Sequence, residues 1–165
     1  MCIWYVSPEM FELRGEPSGW NETRNEVIAG RDRVTLFPGA VVALRDLHTQ
    51  ERFANTKVAV ASATSHKSRA LECLRLLEVS PGIKVDEVVR YREIYPSHKS
   101  RHFNRLHEES GVAFHDMLFF DDCNWGDNCR DVEWACPGVT TVKTPNGLTL
   151  QEWKEGLSKF AESRR

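Results

Sequence analysis

The chain has 165 residues, 41% hydrophobic and 28% charged, and its 22 basic and 24 acidic side chains leave a formal net charge of −2. That length fits one compact domain, large enough to bury roughly two-thirds of the surface its unfolded chain exposes. No broad basic field is present, so nucleic acid is not an expected partner. No apolar run approaches the roughly 18 residues a membrane span needs.

Met1-Cys2-Ile3-Trp4-Tyr5-Val6 reads as the end of a strand or a buried extended segment, stopped by Ser7-Pro8. It is short, with no basic stretch before it, and is not expected to act as a signal peptide. From Glu9 to Arg33 the sequence is polar and broken by Gly15, Pro17, Gly19 and Gly30, which predicts a long irregular excursion over one edge of the domain, with room for a short hairpin. Pro38 opens a helix carrying Val41, Val42, Leu44 and Leu47. Lys57–Ser62 is a short apolar strand, and Ser65 is the expected N-cap of a helix with Ala70, Leu71, Leu74 and Leu77 on one stripe.

Val85 to Tyr95 is expected to hold a third strand, and Pro96-Ser97 turns the chain into a helix from Lys99 with Phe103 and Leu106 facing the core. Met117–Phe120 is the next strand, followed by a loop and a short helix near Asn128–Ala135. Val139–Val142 is the last strand, and Thr149-x-x-Glu152 has the form of a capping box before Leu150, Trp153, Leu157 and Phe160. Strands alternating with helices predict an α/β domain with a parallel central sheet and right-handed crossovers. The five cysteines (2, 73, 123, 129, 136) form no C-x-x-C pair and match no common zinc spacing, so reduced thiols in a cytoplasmic or nuclear setting are expected.

Three chemical groups fall at the ends of successive strands. Ser62-Ala63-Thr64-Ser65 lies at a helix start, where backbone N–H groups and hydroxyls can cradle a phosphoryl group. Ser62 as a small turn residue, and Thr64 and Ser65 as caps, are the alternative readings. Lys99 opens the next helix, where the dipole disfavours a cation by a few tenths of a kcal/mol up to about one. It reads either as a solvated surface lysine or as a group reaching for a phosphoryl oxygen. Asp121-Asp122 closes an apolar strand and reads either as an acidic turn, with Asp122 capping a helix, or as a pair of hard ligands for Mg2+. Asp127 and Asn128 fit a helix cap or the ordering of metal-bound waters equally well.

Val58–Ser65, Arg92–Lys99 (Arg-Glu-Ile-Tyr-Pro-Ser-His-Lys) and Leu118–Asp122 resemble the magnesium-dependent phosphatase family of the haloacid dehalogenase superfamily, as do Ser7–Leu13 and Leu36–Gly39. The resemblance runs over essentially the whole of 1–165. It implies a single Rossmann-like three-layer domain, with 9–35 as a loop or small cap. It makes Ser62 and Lys99 catalytic, Ser62, Ala63, Thr64 and Lys99 phosphate-binding, and Asp121 and Asp122 the metal ligands, with Asp121 the more direct one. The implied activity is Mg2+-dependent hydrolysis of phosphomonoesters, either small phosphorylated substrates (aryl or sugar phosphates) or phosphoprotein side chains such as phosphotyrosine, with Trp4, Tyr5 and Trp20 as candidate lining.

The resembled family uses an aspartyl-phosphate formed on a D-x-D motif at the end of its first, central strand. That motif is missing from this sequence: Cys2-Ile3-Trp4 resembles its tail, and neither Asp32 nor Asp46 follows an apolar strand. The expectation is a first strand truncated in a shortened reading frame, inactive as it stands. The alternative is a non-catalytic pseudoenzyme that retains phosphate or metal affinity.

Overall fold

The computed structural model describes residues 2–7 and 13–165. Residues 4–36 carry an antiparallel sheet. β1 (Trp4–Ser7) pairs with β4 (Asp32–Leu36), β4 with β3 (Glu26–Ala29), and β3 with β2 (Gly19–Asn21). In β4, Asp32, Val34 and Leu36 are buried while Arg33 and Thr35 are half-buried, the period-two alternation of a one-sided strand. Gly30, at φ +62, opens the two-residue turn between β3 and β4. The excursion is irregular at 13–18 and then ordered as the meander β2–β3–β4 from Gly19 onward, while 9–12 lie outside the described residues. Strands of three to five residues rich in polar side chains leave little periodic signal.

The remainder alternates helix and strand. α1 (Pro38–Thr49) begins with proline at its first turn, whose missing N–H would have no helical partner there. β5 (Ala59–Ser62), α2 (Lys67–Leu76), a hairpin of β6 (Glu78–Ser80) and β7 (Ile83–Lys84), and α3 (Val85–Val88) follow. Then come β8 (Tyr91–Ile94), α4 (Lys99–Ser110), β9 (Leu118–Asp121), α5 (Asn128–Ala135), β10 (Thr140–Lys143) and α6 (Leu150–Glu162). β5 runs parallel to β8, and β9 parallel to β10.

The strand expected within Val85–Tyr95 is β8, Tyr91–Ile94. It follows a helical turn at Val85–Val88, where the Glu87 carboxylate accepts the Lys84 N–H at 2.7 Å and Arg92 pairs with Asp86 at 2.6 Å. One local expectation is corrected. Ser65 is not an N-cap, because α2 starts at Lys67 with His66 before it, and the Thr64 hydroxyl accepts the His66 N–H at 3.1 Å instead.

Successive side chains of β9 point to opposite faces. Phe119 packs with Phe103 of α4 and with Cys129 and Val132 of α5. Phe120 packs with Trp153 and Leu157 of α6 and with Ala40 and Ala43 of α1. Helices therefore cover both faces of the parallel strands, giving the three-layer, Rossmann-like α/β arrangement that strand–helix alternation predicts. The parallel part is not one ladder. Among the described residues β5 pairs with β8 and β9 with β10, but β5 and β9 do not pair with each other. Among the described residues β1 pairs with β4 and with neither β5 nor β9.

Candidate functional site

β9 ends in Asp121, which is only 5% exposed, and Lys99 at the first position of α4 is only 8% exposed. Their charges meet: Lys99 Nζ lies 3.2 Å from Asp121 Oδ2. The same ammonium donates to the Ala61 carbonyl at 2.6 Å, one residue before Ser62. Lys99 thus ties the carboxyl end of β5 to that of β9 across the unpaired interval between them. It is not a solvated surface lysine. A buried cation at a helix N-terminus is unfavourable by itself, and the contact with Asp121 compensates both the dipole and the desolvation.

The other oxygen of Asp121 is held from the loop that follows. Oδ1 accepts the Cys123 backbone N–H at 2.9 Å and the Asn128 side-chain amide at 2.8 Å. Cys123 reaches this position through a left-handed backbone, φ +53, which few non-glycine residues adopt. Asp122 accepts the Asn124 amide at 3.0 Å, and Asn124 also donates to the Pro145 carbonyl at 3.2 Å, fastening the loop after β9 to the chain beyond β10. Asp122 caps no helix. That role falls to Asp127, whose side chain accepts the Arg130 N–H at 3.1 Å and pairs with Lys143 at 2.6 Å. The Lys143 side chain, then the Arg130 N–H, hold the Asp127 carboxyl below the usual carboxylate range. Asn128, the first residue of α5, orients Asp121.

On the β5 side, the Ser62 carbonyl accepts the Tyr95 N–H at 3.0 Å, and its hydroxyl oxygen faces the Thr64 N–H at a long 3.4 Å. Ser62, Ala63 and Thr64 form the turn between β5 and α2, beside the carbonyl that Lys99 grips. Cys2 lies close by as well. Its thiol is pushed up to about 12, chiefly by burial, with Thr144 and Asp121 among the groups around it.

A carboxylate offers about four lone-pair positions, and Asp121 has committed three donors to them. With Asp122 adjacent, the donor set is two hard carboxylates. No group of three or more His, Cys, Asp or Glu converges among the described residues. That set suits Mg2+, which keeps several waters and takes one or two protein carboxylates plus phosphate oxygens, better than a metal needing a full protein cage.

Sequence reasoning missed the Ala61 carbonyl and the Cys123 N–H, which carry no side-chain signal. It also missed the ion pair of Lys143 with Asp127, which ties the cap of α5 to β10. The aromatic residues named as lining are engaged in the antiparallel sheet. Trp20 donates to Asn25 at 3.2 Å with the Lys84 ammonium 3.5 Å over its ring, Trp4 packs on the larger core, and Tyr5 sits against Phe37.

A family described as acid phosphatase matches residues 1–163. The human protein named magnesium-dependent phosphatase 1 is 33% identical over 135 residues, covering 82% of this chain and 68% of that protein. A haloacid dehalogenase-like hydrolase superfamily protein of Schizosaccharomyces pombe is 35% identical over 85 residues, 48% of this chain and 45% of its own length. In fold, the chain is similar to the N-terminal part of a Bacteroides fragilis protein containing a phosphatase domain, solved in complex with Mg. The TM-score is 0.57 and the identity 17%, over 74% of this chain and 31% of that one.

Proposed function

Because this chain belongs to the acid phosphatase family, on the haloacid dehalogenase fold, we propose that it binds phosphomonoesters with Mg2+ and that its site is built for their hydrolysis. The observation that carries this reading is the Lys99 ammonium held between the Asp121 carboxylate and the Ala61 carbonyl, at the meeting of two parallel strand ends. Asp121 and Asp122 would hold the cation. When bound, Mg2+ supplies a positive charge that offsets the charge developing on the phosphoryl oxygens.

Lys99 supplies a second positive charge from a desolvated position, where it counts for more than in water. Its ammonium, placed between Asp121 and the Ala61 carbonyl, would be the group that pairs with a phosphoryl oxygen. The Ser62 hydroxyl and the Ser62–Thr64 turn orient the transferred group, with the loosely committed Thr64 N–H as a further donor. Substrates are small or side-chain phosphoesters, aryl and sugar phosphates among them.

The hydrolytic step through an aspartyl-phosphate needs a carboxylate nucleophile, and none of the aspartates of 1–165 stands in a D-x-D after an apolar strand. Asp32 is held by Arg14, and Asp46 accepts from the Trp153 indole at 3.4 Å. The test is an aryl-phosphate assay with and without Mg2+, on this chain and on a version carrying an upstream apolar strand ending in Asp-x-Asp. Turnover restricted to the extended version supports the aspartyl-phosphate route. Equal turnover in both would place the nucleophile elsewhere. Mg2+ and phosphate binding without turnover in either would favour the non-catalytic reading.

A further inference from the structure

The loop that holds Asp121 also brings two thiols together. Cys123 Sγ lies 3.3 Å from Cys129 Sγ, and neither sulfur has a part in the phosphate chemistry above. Cys129, the second residue of α5, is 1% exposed, whereas Cys123 is half-buried on the loop beside Trp125, which is 69% exposed. We propose that Cys123 and Cys129 are a peroxide-oxidisable dithiol whose disulfide resets the loop holding Asp121.

The sulfurs need to approach by roughly 1 Å to reach disulfide bonding distance. In the first step the Cys123 sulfur takes one peroxide oxygen: an S–O bond forms, the O–O bond breaks, and the second oxygen leaves as water with the thiol proton. The Cys129 sulfur then displaces the hydroxyl of that sulfenic acid. An S–S bond forms, the S–O bond breaks, and the Cys129 proton leaves with the hydroxyl as a second water. Two thiols and one peroxide become one disulfide and two waters, the sulfurs giving up two electrons and the peroxide accepting them.

Both ends of the new bond are tied to Asp121. The Cys123 N–H donates to Asp121 Oδ1, and Asn128, the neighbour of Cys129, donates to the same oxygen. Drawing the sulfurs together displaces both donors at once. The consequence for metal binding rests on the reading that Asp121 holds Mg2+. Loss of outer partners of that kind weakens metal binding by about tenfold or more.

The experiment treats the full chain with hydrogen peroxide, blocks remaining thiols by alkylation, and cleaves on the amino side of aspartate, between Gly126 and Asp127. The two cysteines then lie on separate fragments. The expected result is that these fragments stay joined until dithiothreitol is added, in wild type and in Cys136→Ser, but not in Cys123→Ser or Cys129→Ser. Cys123 oxidised to sulfinic acid with Cys129 still alkylated, or the fragments joined only between two chains, would overturn the proposal. Titration calorimetry with Mg2+ on the reduced and oxidised protein reads the coupling separately: about tenfold weaker binding is expected after oxidation, and equal affinity would overturn it. Failure of the reduced protein to bind Mg2+ would remove the metal reading and this coupling, while the joined fragments would still establish the dithiol.

Discussion

Two aspartates in this molecule are buried beside a cation, and they are used differently. Asp32, fully buried at the start of β4, takes the Arg14 backbone N–H on one oxygen at 2.7 Å and two guanidinium N–H groups on the other at 3.1 and 2.8 Å. All three donors come from one residue, whose two guanidinium N–H groups converge on one oxygen while its backbone N–H takes the other. Asp121 also has three donors, but they come from three separate elements, and its cation is a lysine making a single contact at 3.2 Å. The first arrangement ties one loop to one strand. In the second, three separate elements converge on one carboxylate where the ends of β5 and β9 meet. Donors drawn from a single neighbour mark a carboxylate as structural, whereas donors drawn from separate elements that meet at strand ends suit a carboxylate that binds something else.

The sharpest way to break this contrast is to remove the two cations. In the version extended by an Asp-x-Asp strand, Lys99→Ala should lower aryl-phosphate turnover by about 10²–10³-fold while leaving Mg2+ binding in place, since a preorganised charge on the reacting group is worth that much. Arg14→Ala should leave turnover and Mg2+ affinity unchanged and lower the melting temperature. Next in size is the carboxylate itself. On the proposed reading, in which Asp121 is a direct ligand, Asp121→Asn should weaken Mg2+ binding by about 100-fold or more in calorimetry, since a direct ligand is worth at least as much as an outer one. Asp32→Asn should not alter it. If both aspartates affected Mg2+ equally, the distinction drawn from their donors would fail.

The elements that could be read in advance were those whose pattern is local and periodic. α4 begins at Lys99, with Phe103 and Leu106 buried as its spacing predicts, and Thr149 with Glu152 forms the expected reciprocal cap, each backbone N–H meeting the other's side chain. The antiparallel sheet was not legible, because β2 and β3 gain their partners from turns at Asn25 and Gly30 rather than from any apolar run. The site divides in the same way. Asp121, Asp122, Lys99 and Ser62 are side chains at strand and helix ends and could be named from sequence. The Ala61 carbonyl and the Cys123 N–H are backbone atoms, aimed by tertiary packing and a left-handed φ that no residue type announces. The thiol pair was invisible for a related reason: five intervening residues fit no known spacing, and the two sulfurs meet at 3.3 Å only in the folded loop.

A smaller effect isolates one strut of the Asp121 arrangement. Asn128→Ala removes one of the two donors on Oδ1 without touching charge. Mg2+ affinity should fall by about tenfold, the lower end of what outer partners contribute. Removing a donor from Asp127, as in Lys143→Ala, should leave that affinity alone, because Asp127 spends its carboxylate on the cap and on Lys143. Equal losses in the two variants would show that the loop acts on the metal as a whole, not through Asn128.

The smallest effect is a change of shape in the acid limb of the stability curve, and it belongs to Asp32. The Arg14 side chain, and after it the Arg14 N–H, hold the Asp32 carboxyl below its ordinary value in the folded protein. A carboxyl depressed on folding binds fewer protons folded than unfolded, so its contribution is complete above the unfolded value of about 4 and is lost as pH falls toward the folded one. Urea midpoints measured from neutral pH downward should therefore drop below about pH 4, and that part of the drop should be shallower in Arg14→Ala, which starts lower but has less left to lose. The guanidinium side chain is 53% exposed, so added salt should reduce the difference between wild type and variant. Coincident acid limbs at low salt would mean that the geometry around Asp32 stabilises nothing, and the contrast with Asp121 would then rest on metal binding alone.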